Sequence, residues 1–425
     1  MTAAPDDHDL IYDWNVAGGP DPLASAPFQI LDESLREGIQ SPSVVDPAVE
    51  EKVELVRLMA AMGVSAVNLG LPGAGPRARD HALALARAIV AERLPIGAAC
   101  AARTVAADIV PIAELAQRTG LRVEVMAFIG SSPMRQYAEG WDVAHVERLS
   151  ADALDLCARE GLPVTYVNED TVRSRPEALR TLFLSAIDHG AHRLCVCDTV
   201  GHATPAGVGN VLRFAAGLIA ERGATVGLDW HGHNDRGLAL ANALFALSCG
   251  ADRVHGTALG LGERVGNPPL ELLLLNLRLL DATRRDLGAL LGFARAAARA
   301  FQVPIPFNYP LAGRDTFRTA TGVHAAAILK AEARGDRWMA ERVYSAVPAS
   351  LFGQEQAIAL GPLSGESNVV CWLTRRDRAP APDLVAHLLL LAKQSRRLLT
   401  DDEVEAAADA WLAGRARLGA GGSAG

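Results

Sequence analysis

The sequence predicts a TIM-type (β/α)8 barrel followed by a mainly helical C-terminal appendage. Three observations point there. From Phe28 onward, short β-like runs alternate with helical runs of roughly 12 to 20 residues. Eight such units fit into about 250 residues, the size of a (β/α)8 barrel. The polar residues with chemical potential follow the β-like runs, at the end where such barrels carry their sites.

Taken in order, residues 1–26 hold Pro, Gly and Asp with little periodicity and read as an N-terminal arm. The barrel is expected over 27–302. Its β-like runs are Phe28–Leu31, Val64–Leu69, Leu94–Cys100, Leu121–Phe128, Pro163–Val167, Arg193–Cys197, Thr225–His231 and Asp252–His255. Ala-, Leu- and Arg-rich helices lie between them, for example Ala48–Met62, Arg77–Glu92, Val143–Glu160, Pro176–His189 and Leu238–Cys249. Pro47, Pro76, Pro111, Pro176, Pro205 and Pro268 sit near helix starts, where a missing N–H costs little. Gly63, Gly120, Gly161, Gly190, Gly223 and Gly250 each follow a helix and precede a strand, as helix-ending glycines do. A doubly wound open sheet is the runner-up. It lacks its signature: Gly260-x-Gly262 comes nearest to GxGxxG, but Gly266 stands one residue late. Pro304, Pro306 and Pro310 then break the rhythm. Residues 303–415 are expected to form the appendage, and 416–425 a disordered Gly/Ser/Ala tail.

The 425 residues are 50% hydrophobic and 21% charged, a globular composition, with a formal net charge of −8. That balance argues against a general nucleic-acid or anionic-membrane binder. Only Lys52, Lys330 and Lys393 are lysines; the other 38 basic residues are Arg. The six Cys form no CxxC pair and read as reduced, buried thiols. Residues 2–13 are acidic without an apolar run, and the Leu-rich stretches 270–280 and 384–391 are too short or interrupted to span a bilayer. A soluble cytoplasmic protein is expected.

His231-Gly232-His233 is the sharpest motif. Residues i and i+2 of a strand point the same way, so both imidazoles would enter the barrel mouth. Two neutral imidazoles and a carboxylate suit a divalent ion and leave positions open for substrate. Asp32, at the end of the first strand, is the expected carboxylate, with Asn267 also at the mouth. Oxygen and nitrogen ligands without Cys suggest Mg2+, Mn2+ or Zn2+. Two hydrogen-bonded core histidines are the plain alternative. Arg36 could hold a substrate carboxylate or stabilise an alkoxide, and Glu37 could orient it. Residues 260–267 form a glycine-rich loop, in which Glu263 could act as acid or base, or simply pair with Arg264 or Arg236. Within the barrel Lys52 is the one lysine, and it lies on the first helix rather than at a strand end. Schiff-base chemistry is therefore disfavoured, and a ketone would have to be polarised by a metal.

At this point the chain resembles the DRE-TIM metallolyases. The residues that carry the resemblance are Asp32-Glu33-Ser34-Leu35-Arg36-Glu37-Gly38-Ile39-Gln40 and His231-Gly232-His233-Asn234-Asp235. Gly256-Thr257-x2-Gly260-x-Gly262-Glu263-Arg264-x-Gly266-Asn267 is similar to the Claisen-condensing branch of 2-isopropylmalate, homocitrate and citramalate synthases. Asp198-Thr199-Val200-Gly201-His202, Glu169-Asp170-x2-Arg173 and Thr321-Gly322-Val323-His324 add to it. The resemblance implies a metal-dependent condensation of acetyl-CoA with a 2-oxo acid in amino-acid biosynthesis, followed by thioester hydrolysis. It implies Asp32, His231 and His233 as metal ligands, with Asn267 as a further ligand or neighbour. Arg36 would stabilise charge on the keto oxygen, and Thr199 would bind the oxo-acid carboxylate. Glu169 would line the acetyl-CoA side. Gly262 and Glu263 would contact substrate. It further implies a homodimer in which His324 and Tyr344 reach the partner's site.

Two departures bear on specificity. Asn68 stands where family members often carry Glu, and Met134 lies near the place of a substrate-facing His. Arg103 or Arg135 could select an acidic side chain; a small Ala-rich pocket would favour an alkyl one. A C-terminal regulatory domain, such as many 2-isopropylmalate synthases carry, is not expected. The competing readings are a hydroxyacyl-CoA lyase or aldolase on the same scaffold, disfavoured by the lack of Cys in the glycine-rich loop, and a non-catalytic descendant.

Overall fold

The computed structural model describes residues 10–19, 23 and 27–420. Most of the expected arm and residues 421–425 of the expected tail lie outside the described residues. Two compact units are present, Asp13–Ile305 and a second from Pro306 onward, which also takes in the described residues up to Tyr12.

The first unit is built on a closed, all-parallel barrel in sequential order. Its strands are β1 (Gln29–Asp32), β2 (Ala66–Asn68), β3 (Gly97–Arg103), β4 (Val123–Gly130), β5 (Val164–Glu169), β6 (Arg193–Asp198), β7 (Gly227–Gly232) and β8 (Arg253–Gly256). Pairing of β1 with both β2 and β8 closes the ring. Helices follow the strands: α1 (Val49–Ala61), α2 (Pro76–Glu92), α3 (Ala106–Thr119), α4 (Pro133–Glu139), α5 (Val143–Arg159), α6 (Pro176–Asp188), α7 (Pro205–Arg222), α8 (Ala239–Ser248), α9 (Leu270–Leu279) and α10 (Leu290–Ala300). Pro76, Pro176 and Pro205 open their helices. Pro111 does not: it lies inside α3. All six glycines expected at helix ends have φ between 60° and 93°, the left-handed region that only Gly enters freely.

Strand alternation sorts the interior into layers. The lowest layer is charged: Arg253 binds Glu124 (2.5 Å) and Asp229 (2.6 Å), and Arg193 binds Asp229 (2.6 Å). Above it pack Leu31, Ala66, Ala99, Met126, Val167, Cys195 and Cys197, with Phe128 at their edge. These apolar side chains seal the floor of the mouth, where the remaining inward residues are polar. Buried ion pairs are costly unless well matched, so the charged layer depends on its complementary hydrogen bonds.

The second unit is mainly helical, with a short two-stranded sheet, β9 (Arg318–Thr319) and β10 (Ala357–Ile358). Its helices are α11 (Gly322–Ala333), α12 (Arg337–Arg342), α13 (Glu366–Thr374), α14 (Pro382–Gln394) and α15 (Asp401–Ala420). Trp372, Leu373, Leu384, Leu388 and Val404 form its larger core. The tail expected from 416 starts inside α15, whose Ala-, Arg- and Leu-rich end continues the helix to Ala420. Among the described residues no helix is long and apolar enough to cross a membrane.

Candidate active site

The barrel mouth holds a cavity of about 140 Å3. On one side Arg36, Glu37, His231, His233 and His255 line it; Ala101, Met126, Phe128 and Val167 form an apolar wall.

His231, next to last in β7, lies two residues above Asp229, and its partner across the sheet is the inward-facing Cys197. His233 continues the same alternation into the loop. Their rings lie 5.3 Å apart at 71°. Both are buried. Burial, with the neighbouring rings and Arg36, holds His231 well below its ordinary pKa; burial also lowers His233 against the opposing pull of Glu37. Neutral imidazoles are the ligating form.

The carboxylate beside them is Glu37, not Asp32. Ligand atoms of Glu37, His231 and His233 all lie within 4.8 Å of one another, with Glu37 Oε1 3.5 Å from His233 Nε2. Asp32 is turned away by strand parity. Leu31 packs into the barrel interior, so Asp32 faces the opposite side of β1. Its two oxygens accept from the Ser34 N–H and Oγ–H, both at 2.8 Å. Burial raises its carboxyl to about 7, with Glu33 and Glu271 adding to the rise and Ser34 opposing it.

Arg36 reaches the cavity between two buried carboxylates, Glu33 (2.9 Å) and Glu37 (2.5 Å). Glu33 also accepts from Asn68 Nδ2 at 3.0 Å. Burial works against the Arg36 charge, but these two carboxylates more than restore it. Thr199 lines the cavity, its Oγ1 accepting from the Asp170 N–H at 2.8 Å. Glu169 lines it too; burial raises its pKa, opposed by Arg135 and Arg36. Glu263 stands at the rim, half-exposed, 3.3 Å from Arg264. Asn267 is buried, donates to the Gly232 carbonyl at 3.1 Å and leaves Oδ1 without a hydrogen-bond partner. Gly262 packs on it: a Cβ there would meet Asn267 Oδ1 at 2.2 Å, so its part is close approach.

Three expected contacts are not made. Arg103 is 59% exposed and bound by Asp108 at 2.8 Å, outside the cavity lining. Met134 is 64% exposed on the short helix α4 and does not line the cavity. Arg135 likewise turns to Glu139 (3.2 Å). In the second unit His324 stacks on Tyr344, ring centroids 3.8 Å apart.

Glu33 and His255 are cavity residues that the motifs did not single out. His255 sits opposite Leu31 in the β1–β8 register, hence inward, and lies 3.2 Å from His231 Nδ1. The signal for it is a polar residue two places after Arg253 in an otherwise apolar strand.

The group fits a divalent ion. It offers two neutral imidazoles and a carboxylate within mutual reach, and His233 Nδ1 is buried without a hydrogen-bond partner. Lys52 is remote from it, buried against Asp46 (2.5 Å) and His81 (3.0 Å).

The HMGL-like family model matches residues 27–294. A provisionally named (R)-citramalate synthase of Methanosphaerula palustris is 31% identical over 91% of this chain and 73% of its own. The mitochondrial homocitrate synthase of Schizosaccharomyces pombe is 30% identical over 71% and 70%. A 2-isopropylmalate synthase of Lactococcus lactis subsp. cremoris is 28% identical over 89% and 73%. Among solved structures, the HMG-CoA lyase of Bacillus subtilis superposes with a TM-score of 0.54 at 23% identity, over 68% of this chain and 97% of that one. At that identity the likeness concerns the fold alone.

Proposed function

The chain belongs to the HMGL-like family, and from that premise we propose that it condenses acetyl-CoA with a short-chain 2-oxo acid, in the manner of 2-isopropylmalate and citramalate synthases. The observation that carries the reading is the group of Glu37, His231 and His233 beside Arg36 at the barrel mouth. These three residues would hold a divalent ion, Mg2+, Mn2+ or Zn2+, with Asn267 as neighbour; the ion would supply Lewis-acid polarisation of a keto carbonyl.

The chain's own groups account for the rest. Loss of a methyl proton from acetyl-CoA gives an enolate, which attacks the keto carbon and forms a carbon–carbon bond. The charge that develops on the keto oxygen faces the Arg36 guanidinium, kept in place by Glu33 and Glu37 before any charge arrives. Thr199 offers its hydroxyl to the oxo-acid carboxylate. Glu169, on the same cavity, lines the acetyl side. Water then cleaves the thioester, releasing CoA and making the sequence irreversible. The stacked pair His324–Tyr344 would be presented to this site by a second copy of the chain, giving a homodimer.

The preference for a short alkyl side chain follows from what the cavity lacks. Neither Arg103 nor Arg135 lines it, while Ala101, Met126, Phe128 and Val167 do. Its volume of about 140 Å3 is small beside typical ligand pockets of roughly 300–1,000 Å3. An acidic side chain, as in 2-oxoglutarate, would place a second carboxylate against this apolar wall without a cation.

The test is thiol release from acetyl-CoA with Mn2+ and a panel of 2-oxo acids. CoA release with pyruvate, 2-oxobutyrate or 2-oxoisovalerate, well above that with 2-oxoglutarate, is expected. Release with 2-oxoglutarate alone would refute the alkyl preference. Cleavage of a hydroxyacyl-CoA with no condensation would favour the lyase reading.

A further inference from the structure

We infer that the barrel unit carries a second ligand site, on the back of the segment that holds Arg36 and Glu37, and that this site takes a short aliphatic carboxylate.

A cavity of about 310 Å3 lies between the turn after β1, the turn after β2 and the start of α2. It shares a wall with the mouth. Arg36, Glu37 and Gln40 line the mouth, whereas Leu35 and Ile39, from the same segment, line this second cavity. Leu69 and Leu71 complete its apolar side.

The other side is cationic. Lys52 lines it although its side chain is only 4% exposed. Its Nζ lies 2.5 Å from Asp46 Oδ1 and 3.0 Å from His81 Nδ1. The first contact is an ion pair outside hydrogen-bond geometry, since Asp46 Oδ1 is buried without a hydrogen-bond partner. Among the described residues, His81 is thus the one hydrogen-bond partner of an ammonium that carries three donors. Burying a charge with donors to spare is costly unless a ligand meets them. Asp46 is also bound by Arg77, at 3.0 Å, so two cations face one carboxylate and the local charge is positive even with His81 neutral. Pro76, Arg77 and Ala78 present the first turn of α2, which has no acidic residue to offset the positive end of a 17-residue helix. A carboxylate at Lys52, with its alkyl chain against Leu35, Ile39, Leu69 and Leu71, matches both sides.

The shared wall links the two cavities. Glu37 reaches His231 and His233 in the same conformation that forms this second cavity. A ligand that fills one cavity therefore favours the conformation the other uses, and the coupling is positive. That link rests on the metal reading above; the site itself does not.

Isovalerate is the probe, titrated into the metal-free protein and followed by NMR. It should saturate one site, while acetate and isovaleramide, which lack the chain or the charge, should bind at least about 10-fold more weakly. Lys52→Met should abolish this binding. So should Ala78→Trp, which fills the cavity and leaves every charge in place; circular dichroism verifies folding. Thr199→Ala, at the mouth, should leave it unchanged. Binding lost in Thr199→Ala, binding retained in folded Ala78→Trp, or no saturable binding at all would overturn the site. Saturating isovalerate should also tighten Mn2+ binding about fivefold or more in the wild type, and not in Ala78→Trp. Unchanged Mn2+ affinity in the wild type would overturn the link between the cavities. Failure of the wild type to bind Mn2+ would strike at the metal reading instead, and the isovalerate titration would still decide the site.

Discussion

Replacing Glu37 by Gln removes one charge at nearly constant volume. The carboxylate lies within 4.8 Å of the ligand atoms of His231 and His233, so an ion held by all three would sit no farther from it than that. At an effective dielectric of about 20, a divalent ion and a carboxylate at that distance attract by about 7 kcal/mol. Desolvation offsets much of this gross figure. The substitution also frees Arg36, 2.5 Å from Glu37, to repel the ion. A net loss of at least about 3 kcal/mol, or two orders of magnitude in affinity, is expected for Glu37→Gln. Asp32→Asn is the control, because both Asp32 oxygens are taken by Ser34 on the far side of β1. Its affinity should stay within about threefold, roughly 0.7 kcal/mol. Calorimetric titration with Mn2+, with circular dichroism to verify folding, measures both. Equal losses in the two variants, or tight binding by Glu37→Gln, would refute the ligand assignment.

Further expectations concern the same residues. His231→Ala should abolish both Mn2+ binding and CoA release with the fold intact; retained turnover would contradict its role. The Asp32 carboxyl, raised from 3.8 to about 7 by burial, binds its proton more tightly when folded, so its contribution to stability is fully present below pH 4. That contribution is lost as pH rises to 7, by about 4 kcal/mol in all. Urea denaturation of wild type and Asp32→Asn at pH 5 and 8 should show a steeper decline in the wild type, and parallel declines would disprove it. Met134→Ala, at a side chain 64% exposed and outside the cavity lining, should leave kcat/KM for the oxo acid unchanged; a large drop would place Met134 in the site after all.

The barrel was legible because its punctuation is local. Glycines such as Gly120 and Gly223 end helices in the left-handed region, and prolines such as Pro176 start them. Pro111 misled, since tertiary packing holds it inside α3. The His231–His233 pair was legible for the same reason: two-residue alternation needs no distant information. The same alternation, applied to β1, would have turned Asp32 outward and Glu33 inward. What hid this was the missing register: only the pairing of Leu31 with His255 tells which face of β1 is inside. Glu37 lies beyond the strand, on the turn after it, so alternation could not place it. Arg103 was misplaced because Asp108, five residues on, captures it. Such competition between nearby charges is visible only once the chain has turned back on itself.

The central claim is that this mouth joins acetyl-CoA to a keto carbon. The most direct measurement is carbon NMR of the products made from acetyl-CoA labelled with 13C in its methyl group, Mn2+ and a short-chain 2-oxo acid. The label is expected as a methylene carbon attached to a hydroxyl-bearing carbon, with free CoA formed in equal amount. Label recovered as free acetate, or left in acetyl-CoA, would contradict the account.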